Sequence, residues 1–175
     1  MDSVLPGRVE LKTFLLGLFS LAFAPMTPGQ VPRPAPELKI VETSGKTTLL
    51  STYRGRVVLL AFISTECGHC QRASVNFEQL SHELGGPQVL EFAFNEKADV
   101  PQFAKQFGLR FPIGTGGSDA AHDFLGIARG ERLGTPQVVV IDRSGIIRAQ
   151  SERLGSPILQ TVDYLREVLK AVGAR

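Results

Sequence analysis

Two cysteines, Cys67 and Cys70, are the residues of this chain best suited to covalent chemistry, and they are its only cysteines. They lie in the sequence Cys67-Gly68-His69-Cys70. A disulfide that closes so short a loop removes little conformational entropy from the unfolded chain, so it would stabilise the fold only weakly. At this spacing, one thiol can attack a foreign disulfide and the other can resolve the mixed disulfide that forms. The spacing therefore predicts a redox-active Cys67-Cys70 disulfide.

A buried strand and an amphipathic helix are predicted on either side of the cysteine pair. Residues 57–63 are all apolar, which is typical of a strand that is buried on both faces. After the pair, Ala73, Phe77, Leu80 and Leu84 fall on one face of a helix. Chemistry in open α/β sheets gathers at the carboxyl ends of strands, and Cys67 lies at such a strand-to-helix junction.

The position of each cysteine on this helix predicts its role. A helix N-terminus carries a partial positive charge and unpaired N–H groups, which favour a thiolate over a thiol. Cys67 is therefore predicted to be the nucleophile, and Cys70, one turn further on, the resolving cysteine. His69 is expected to tune the pair by stabilising the Cys67 thiolate, whereas an ionised Glu66 disfavours that thiolate. Because the two effects oppose each other, the sequence does not give the direction of electron flow.

The remaining segments alternate between strand and helix patterns. The predicted elements are a hairpin over residues 38–50, a strand over 88–94, a helix over 98–107, a loop over 114–117, a short helix over 119–125, a hairpin over 136–149 and a last helix from Pro157 to Val172 behind an N-cap Ser156. Strands that are separated by helices imply a parallel core sheet with helices on its faces. The predicted fold class is α/β.

The first 36 residues differ from the rest of the chain. An uncharged run over residues 13–24 ends in a small-x-small pattern at Ala24, which is typical of a signal peptidase site. The run is shorter than the roughly 20 apolar residues that span a bilayer, so residues 1–24 are predicted to be a signal peptide, with a short membrane anchor as the alternative. Residues 25–36 are rich in proline and predict a linker without regular structure. Residues 37–175 then form one exported domain, in the periplasm or an equivalent extracytoplasmic space.

Composition and motif spacing exclude several other classes of function. A formal net charge of +2 is too small to indicate a nucleic-acid partner. A zinc site would need a second cysteine pair, and His82 and His122 show no ligand spacing. Covalent haem attachment requires histidine after the second cysteine, where this chain has Gln71. No metal and no cofactor are expected.

The buried strand, the Cys67-Gly68-His69-Cys70 motif and a late Gly134-Thr135-Pro136 together resemble the thioredoxin superfamily. Over residues 37–172 the chain is similar to its exported TlpA/ResA-type branch, which is AhpC/TSA-redoxin-like. The resemblance implies a thioredoxin fold, in which a central mixed β-sheet is flanked by helices. It also implies an N-terminal β-hairpin and an inserted strand-helix unit.

The resemblance further implies roles for residues outside the cysteine pair. Pro136 is expected to be cis and to lie against the cysteines, with the Thr135 backbone pairing with a substrate chain. The family usually has Trp before its first cysteine, where this chain has Glu66. It also commonly carries a buried acid in the strand that is wholly apolar here. Glu66 is therefore a candidate for proton transfer.

The function that this resemblance implies is that of a thiol-disulfide oxidoreductase acting on cysteine-containing exported proteins. An upstream thiol-disulfide electron donor or acceptor would be its second partner. A membrane tether at the N-terminus would be compatible with both kinds of partner. One alternative is a peroxiredoxin-like peroxidase with an antioxidant role, in which Ser64 or Thr65 helps to bind peroxide. Another is a non-enzymatic module that binds Cu(I) through Cys67, Cys70 and His69.

Overall fold

One mixed sheet of eight strands runs through residues 30–173, the part of the chain that the computed structural model describes. Its strands are β1 (Arg33–Pro34), β2 (Lys39–Glu42), β3 (Thr47–Leu49), β4 (Val58–Ile63), β5 (Gln88–Ala93), β6 (Ile113–Thr115), β7 (Gln137–Ile141) and β8 (Ile146–Gln150). The helices are α1 (Gly68–Ser81), α2 (Val100–Phe107), α3 (Ser118–Leu125) and α4 (Val162–Ala171). The strands lie in the spatial order β1-β8-β7-β4-β5-β6-β2-β3. This is the expected thioredoxin fold, with its N-terminal hairpin β2–β3 and its inserted strand-helix unit.

Strand β4 lies inside the sheet, parallel to β5 and antiparallel to β7. All six of its residues are buried, as the apolar sequence predicts. Alternate side chains enter two cores, because successive residues of a strand point to opposite faces. Leu59, Ala61 and Ile63 pack with α1, α2 and α4, whereas Phe62 lies 5.6 Å from Phe92 and 5.2 Å from Phe124 of α3, measured between ring centroids. Strand β4 is thus fixed on both faces and both edges, and it ends at the cysteine motif.

Two segments that were expected to lack regular structure belong to the sheet. Arg33 and Pro34 form β1, which pairs with the outer edge of β8. Proline is compatible with such an edge position because it needs no donor to a further strand. The predicted loop over residues 114–117 likewise begins in β6, and a Cβ on Gly114 would lie 2.4 Å from the Ile40 side chain. Glycine there marks the close approach of two strands.

The predicted last helix is interrupted. Residues Pro157–Gln160 form a short 3₁₀ turn, Thr161 is extended at φ −94° and ψ 138°, and α4 begins only at Val162. The apolar residues before and after Thr161 nevertheless lie on one buried face, with Leu159, Leu165 and Leu169 in the core. Side-chain spacing therefore identified the buried face but not the break in the backbone. It also placed Leu84 on the buried face of α1, which is wrong, because α1 ends at Ser81 and Leu84 is exposed.

The predicted signal peptide, residues 1–24, and the start of the predicted linker lie outside the described residues. Between residues 30 and 173, no helix is both long and apolar enough to cross a membrane.

Candidate active site

Cys67 occupies the N-cap position of α1, directly beyond the end of β4. Its backbone is extended, and its amide donates to the Ser64 carbonyl at 3.1 Å. This turn leaves the Cys67 sulfur facing the first turn of α1, where it accepts a hydrogen bond from the Cys70 amide at 3.4 Å. The unpaired amides of the helix end therefore point at one sulfur, as the strand-to-helix junction predicts.

The segment before β7 lies against the same sulfur. The Thr135–Pro136 peptide bond is cis. The Cys67 thiol donates to the Thr135 carbonyl, with 3.6 Å between sulfur and oxygen. Gly134 cannot carry a side chain here, since its Cβ would lie 2.1 Å from the Leu154 carbonyl oxygen. Residue 135, distant in the sequence from residues 67 and 70, thus meets them at one end of the sheet.

The two sulfurs have different surroundings and opposite acidities. Burial alone would raise the pKa of the Cys67 thiol, but hydrogen bonds from the Thr135 side chain, from Cys70 and from the His69 backbone amide outweigh it, so this pKa lies below its ordinary value. Cys70 is fully buried, and that burial raises the pKa of its thiol to about 12. Both cysteines are free thiols. At neutral pH, Cys67 therefore holds the more thiolate character.

His69 and Glu66 flank the pair on the solvent side, and both are exposed. The His69 ring nitrogen Nδ1 lies 3.1 Å from Nη2 of Arg72. A guanidinium can only donate, so this ring nitrogen is the acceptor in the contact with Arg72. The contact of His69 with the thiolate comes from its backbone amide, whereas Arg72 is the permanent cation on this turn.

Asn95, which follows β5, holds the loop before Cys67 and is absent from the predicted site. Its Oδ1 accepts from the Thr65 amide and its Nδ2 donates to the Thr65 hydroxyl, both at 3.1 Å. Gln71 of α1 donates to the Thr65 carbonyl at 3.1 Å. Thr65, which the peroxidase alternative assigned to peroxide, is thus tied into the loop. A polar residue at the carboxyl end of a central strand is the signal that could have indicated Asn95.

Glu91 is a second residue that the predicted site lacks. It lies on β5 opposite Ala61 of β4, beneath α1, and it is fully buried. Its Oε1 lies 2.6 Å from the Ser74 hydroxyl, which is also 2.9 Å from the Cys70 carbonyl. Its Oε2 has no hydrogen-bond partner among the described residues. Burial raises the pKa of Glu91 to about 8, so the carboxyl is mostly protonated at neutral pH.

A neutral Glu91 completes a chain of donors that ends at the redox helix. The protonated carboxyl donates to Ser74, and the Ser74 hydroxyl is then free to donate to the Cys70 carbonyl. If Glu91 ionises, Ser74 must turn its single proton toward the carboxylate. A lone acid inside the apolar run over residues 88–94 was the available signal, but the sequence does not show which strand would lie beside it.

Solved structures share this architecture, and the fold and site together define a thioredoxin-fold protein. A thiol:disulfide interchange protein of the thioredoxin family from Chlorobium tepidum TLS superposes with a TM-score of 0.64 at 23% identity, covering 81% of this chain and 96% of that one. A candidate protein disulfide isomerase from Bacteroides thetaiotaomicron superposes with a TM-score of 0.61 at 30% identity, covering 83% and 95%.

The sequence comparisons place the chain more narrowly. The model of the AhpC/TSA family matches residues 31–150. The chain belongs to the AhpC/TSA family. It is 28% identical over 153 residues to the thiol-disulfide oxidoreductase ResA of Geobacillus thermodenitrificans, a match that covers 81% of this chain and 85% of the relative.

Proposed function

We propose that this protein is a thiol-disulfide oxidoreductase that exchanges disulfides with cysteine-containing proteins through Cys67 and Cys70. The observation that supports it most strongly is the unequal acidity of the two thiols. One sulfur is half-buried at a helix N-terminus with a lowered pKa, and the other is buried with a pKa raised to about 12. The ResA relative is named a thiol-disulfide oxidoreductase, and the protein from Chlorobium tepidum TLS is named a thiol:disulfide interchange protein, so both names refer to the same chemistry.

The reaction proceeds in two exchanges. The Cys67 thiolate attacks one sulfur of a substrate disulfide, so that a new S–S bond forms and the substrate's own S–S bond breaks, and the departing thiolate takes up a proton. Cys70 then loses its proton and attacks the Cys67 sulfur, which releases the second substrate thiol. The substrate gains two electrons and the Cys67-Cys70 pair loses them. The same steps in reverse oxidise a substrate dithiol, and a second thiol-disulfide partner restores the starting state.

Thr135 and Pro136 are proposed to bind the substrate chain beside the reacting sulfur. The Thr135 carbonyl accepts from the Cys67 thiol at 3.6 Å. Once Cys67 ionises it has no proton to donate, and the carbonyl is free to accept a backbone N–H of the substrate. Thiolate formation and substrate pairing thereby favour each other.

Proton exchange with Cys70 is proposed to depend on Glu91 more than on Glu66. Burial raises the pKa of Glu91 to about 8, so near neutral pH this carboxyl can both take up and release a proton, and it is linked to the helix turn of Cys70 through Ser74, whereas Glu66 is exposed. The matched variants Glu91→Gln and Glu66→Gln separate the two roles. Glu91→Gln should slow resolution of the mixed disulfide and alter its pH profile, and Glu66→Gln should leave the resolution step unchanged.

The exchange is proposed to take place outside the cytoplasm, on proteins that are themselves exported. The support is the signal-like pattern of residues 1–24, which also leaves a membrane tether open as a proposal. Fractionation of the producing cell tests it, since an intact leader on a cytoplasmic protein would contradict export.

The test of the function is reduction of insulin by the dithiol form, with dithiothreitol as the electron source. Cys67→Ser should abolish the activity, and Cys70→Ser should accumulate mixed disulfides that a non-reducing gel resolves. Activity that survives Cys67→Ser contradicts the proposal. So does faster turnover of hydrogen peroxide than of insulin, or tight stoichiometric Cu(I) uptake by a protein that reduces no disulfide.

A further inference from the structure

His122 of α3 lies next to the segment that leads into Thr135, and both of its ring nitrogens face backbone carbonyl oxygens. Nδ1 lies 2.8 Å from the Ser118 oxygen, one helical turn earlier. Nε2 lies 2.9 Å from the oxygen of Glu131, in the loop that runs from α3 to β7. The residue is 6% exposed. The ring therefore joins α3 to this loop inside the protein.

A neutral imidazole cannot satisfy both contacts. It has one N–H donor, and its second nitrogen presents a lone pair, which would face the lone pairs of a carbonyl oxygen at hydrogen-bond distance. An imidazolium donates from both nitrogens and makes two good hydrogen bonds. The geometry is thus that of a charged histidine.

The charges around the ring suit a cation. The charged groups near the ring are Asp119 and Asp123 of α3 and Arg129 and Glu131 of the loop. Arg153, which follows β8, pairs with Glu131 at 3.2 Å. Arg129 bridges the two aspartates of α3. The hydrogen bond to Glu131 is the main cause that raises the pKa of His122, which burial alone would lower.

The segment that His122 holds continues into the candidate site. Arg153 donates to the Arg132 carbonyl at 2.9 Å, and the Gly134 amide donates to the Arg153 carbonyl at 2.9 Å. Thr135 follows, with its carbonyl on the Cys67 sulfur. His122 ties this segment to α3 on one side, and Arg153 ties it to the chain after β8 on the other.

We infer that His122 is a positioning residue whose protonated ring holds residues 131–135 in place, and that loss of its proton as pH rises loosens the substrate-binding segment. The step from loosened segment to altered exchange rests on the proposed function of Thr135. Exchange then responds to pH through a group that is neither of the cysteines. A rise in KM with little change in kcat is the expected signature, since His122 does not touch the reacting sulfurs.

The charge state is tested on the full-length protein without substrate, by NMR of ¹⁵N-labelled histidine. Two protonated ring nitrogens are expected for His122 at neutral pH, and exposed His82 serves as the internal reference. Amide hydrogen exchange of residues 131–135, corrected for its intrinsic pH dependence, should become about tenfold faster once His122 is titrated, because a hydrogen bond to a charged group is lost. A neutral His122 ring at pH 6 overturns the inference. So do amide exchange rates of residues 131–135 that, after the correction, do not change as His122 is titrated.

The variants His122→Gln and His82→Gln extend the test to exchange with insulin. His122→Gln should raise KM several-fold near neutral pH and abolish the rise of KM with pH that the wild type shows. His82→Gln should leave KM and its pH dependence unchanged. An unaltered KM and pH profile in His122→Gln contradicts the positioning role. If instead the wild type exchanges no disulfides while the NMR result holds, the proposed function fails and the charged contact stands.

Discussion

Two buried ionisable groups flank the candidate site, and the fold gives them opposite charge states. Glu91 lies beneath α1, on the side of Cys70, and is held neutral with a pKa raised to about 8. His122 lies behind the Thr135 segment and is held charged, with its pKa raised as well. Both groups therefore keep a proton more readily than they would in water. The proton makes Glu91 neutral and makes His122 positively charged.

The difference lies in the number of hydrogen-bond partners. Glu91 has one hydrogen-bond partner, Ser74, and an oxygen without a partner among the described residues, so burial dominates and the neutral acid is preferred. His122 has one acceptor for each nitrogen, and a cation satisfies both. Burial by itself does not decide the charge of an interior group. The local supply of donors and acceptors does.

The largest effect is expected from Glu91→Gln, which removes the ionisable group and keeps its shape. Between the ordinary carboxyl pKa of 4.5 and the folded value of about 8, the unfolded chain has released a proton that the folded chain still holds. Stability of the wild type therefore falls as pH rises through this window, by on the order of 5 kcal/mol, and levels off above it. The variant should lack this slope and be more stable than the wild type at pH 8 in urea unfolding.

Glu66→Gln is the matched control, since it removes an exposed carboxylate near the same helix end. Its unfolding curve should follow the wild type at every pH. A Glu91→Gln protein with the wild-type pH slope would show that Glu91 is ionised in the fold.

The next effect is expected from Ser74→Ala, which removes the hydrogen bond to Glu91. The loss should cost about 1–3 kcal/mol, because a buried carboxyl oxygen is left unpaired. Ser81→Ala is the control on the same helix, since the Ser81 hydroxyl bonds only within the helix, to the Glu78 carbonyl at 2.7 Å. Equal unfolding free energies for the two variants would contradict the role of Ser74.

The smallest effect is expected from the pH dependence that His122 adds. Its folded pKa is raised, so its contribution is complete below the unfolded value of 6.5 and is lost as pH rises through the folded value. His122→Gln should therefore be less stable than the wild type at pH 6 by about 1–2 kcal/mol, with a gap that closes at higher pH. A gap that is constant with pH would indicate a packing defect and no charged contact.

The fold and the cysteine motif could be predicted because their signals are local. An apolar run, a helix-spaced face and a strand-to-helix junction identify β4, α1 and the place of Cys67 without knowledge of any neighbour. Glu91 and His122 could not be assigned in this way. Their roles depend on contacts with Ser74, Ser118 and Glu131. The spacing of residue types along the sequence does not reveal which residues the fold brings into contact.

The structural differences have a similar origin. β1 forms because the edge of β8 accepts a strand that contains proline, and β6 forms because Gly114 allows close approach to Ile40. Each feature depends on a partner strand that is distant in the sequence, so local propensity indicated a linker and a loop. The break at Thr161 is the converse case, since the apolar spacing continues across it.

The unequal acidity of Cys67 and Cys70 is the central claim, and pH-dependent alkylation of the reduced protein tests it most directly. Iodoacetamide labelling followed by mass spectrometry gives a rate for each cysteine at each pH. Cys67 should react with an apparent pKa below 9, and Cys70 should stay unmodified until the pH approaches about 12 or the protein unfolds. Equal labelling of the two thiols at neutral pH, or labelling of Cys70 first, would contradict the account.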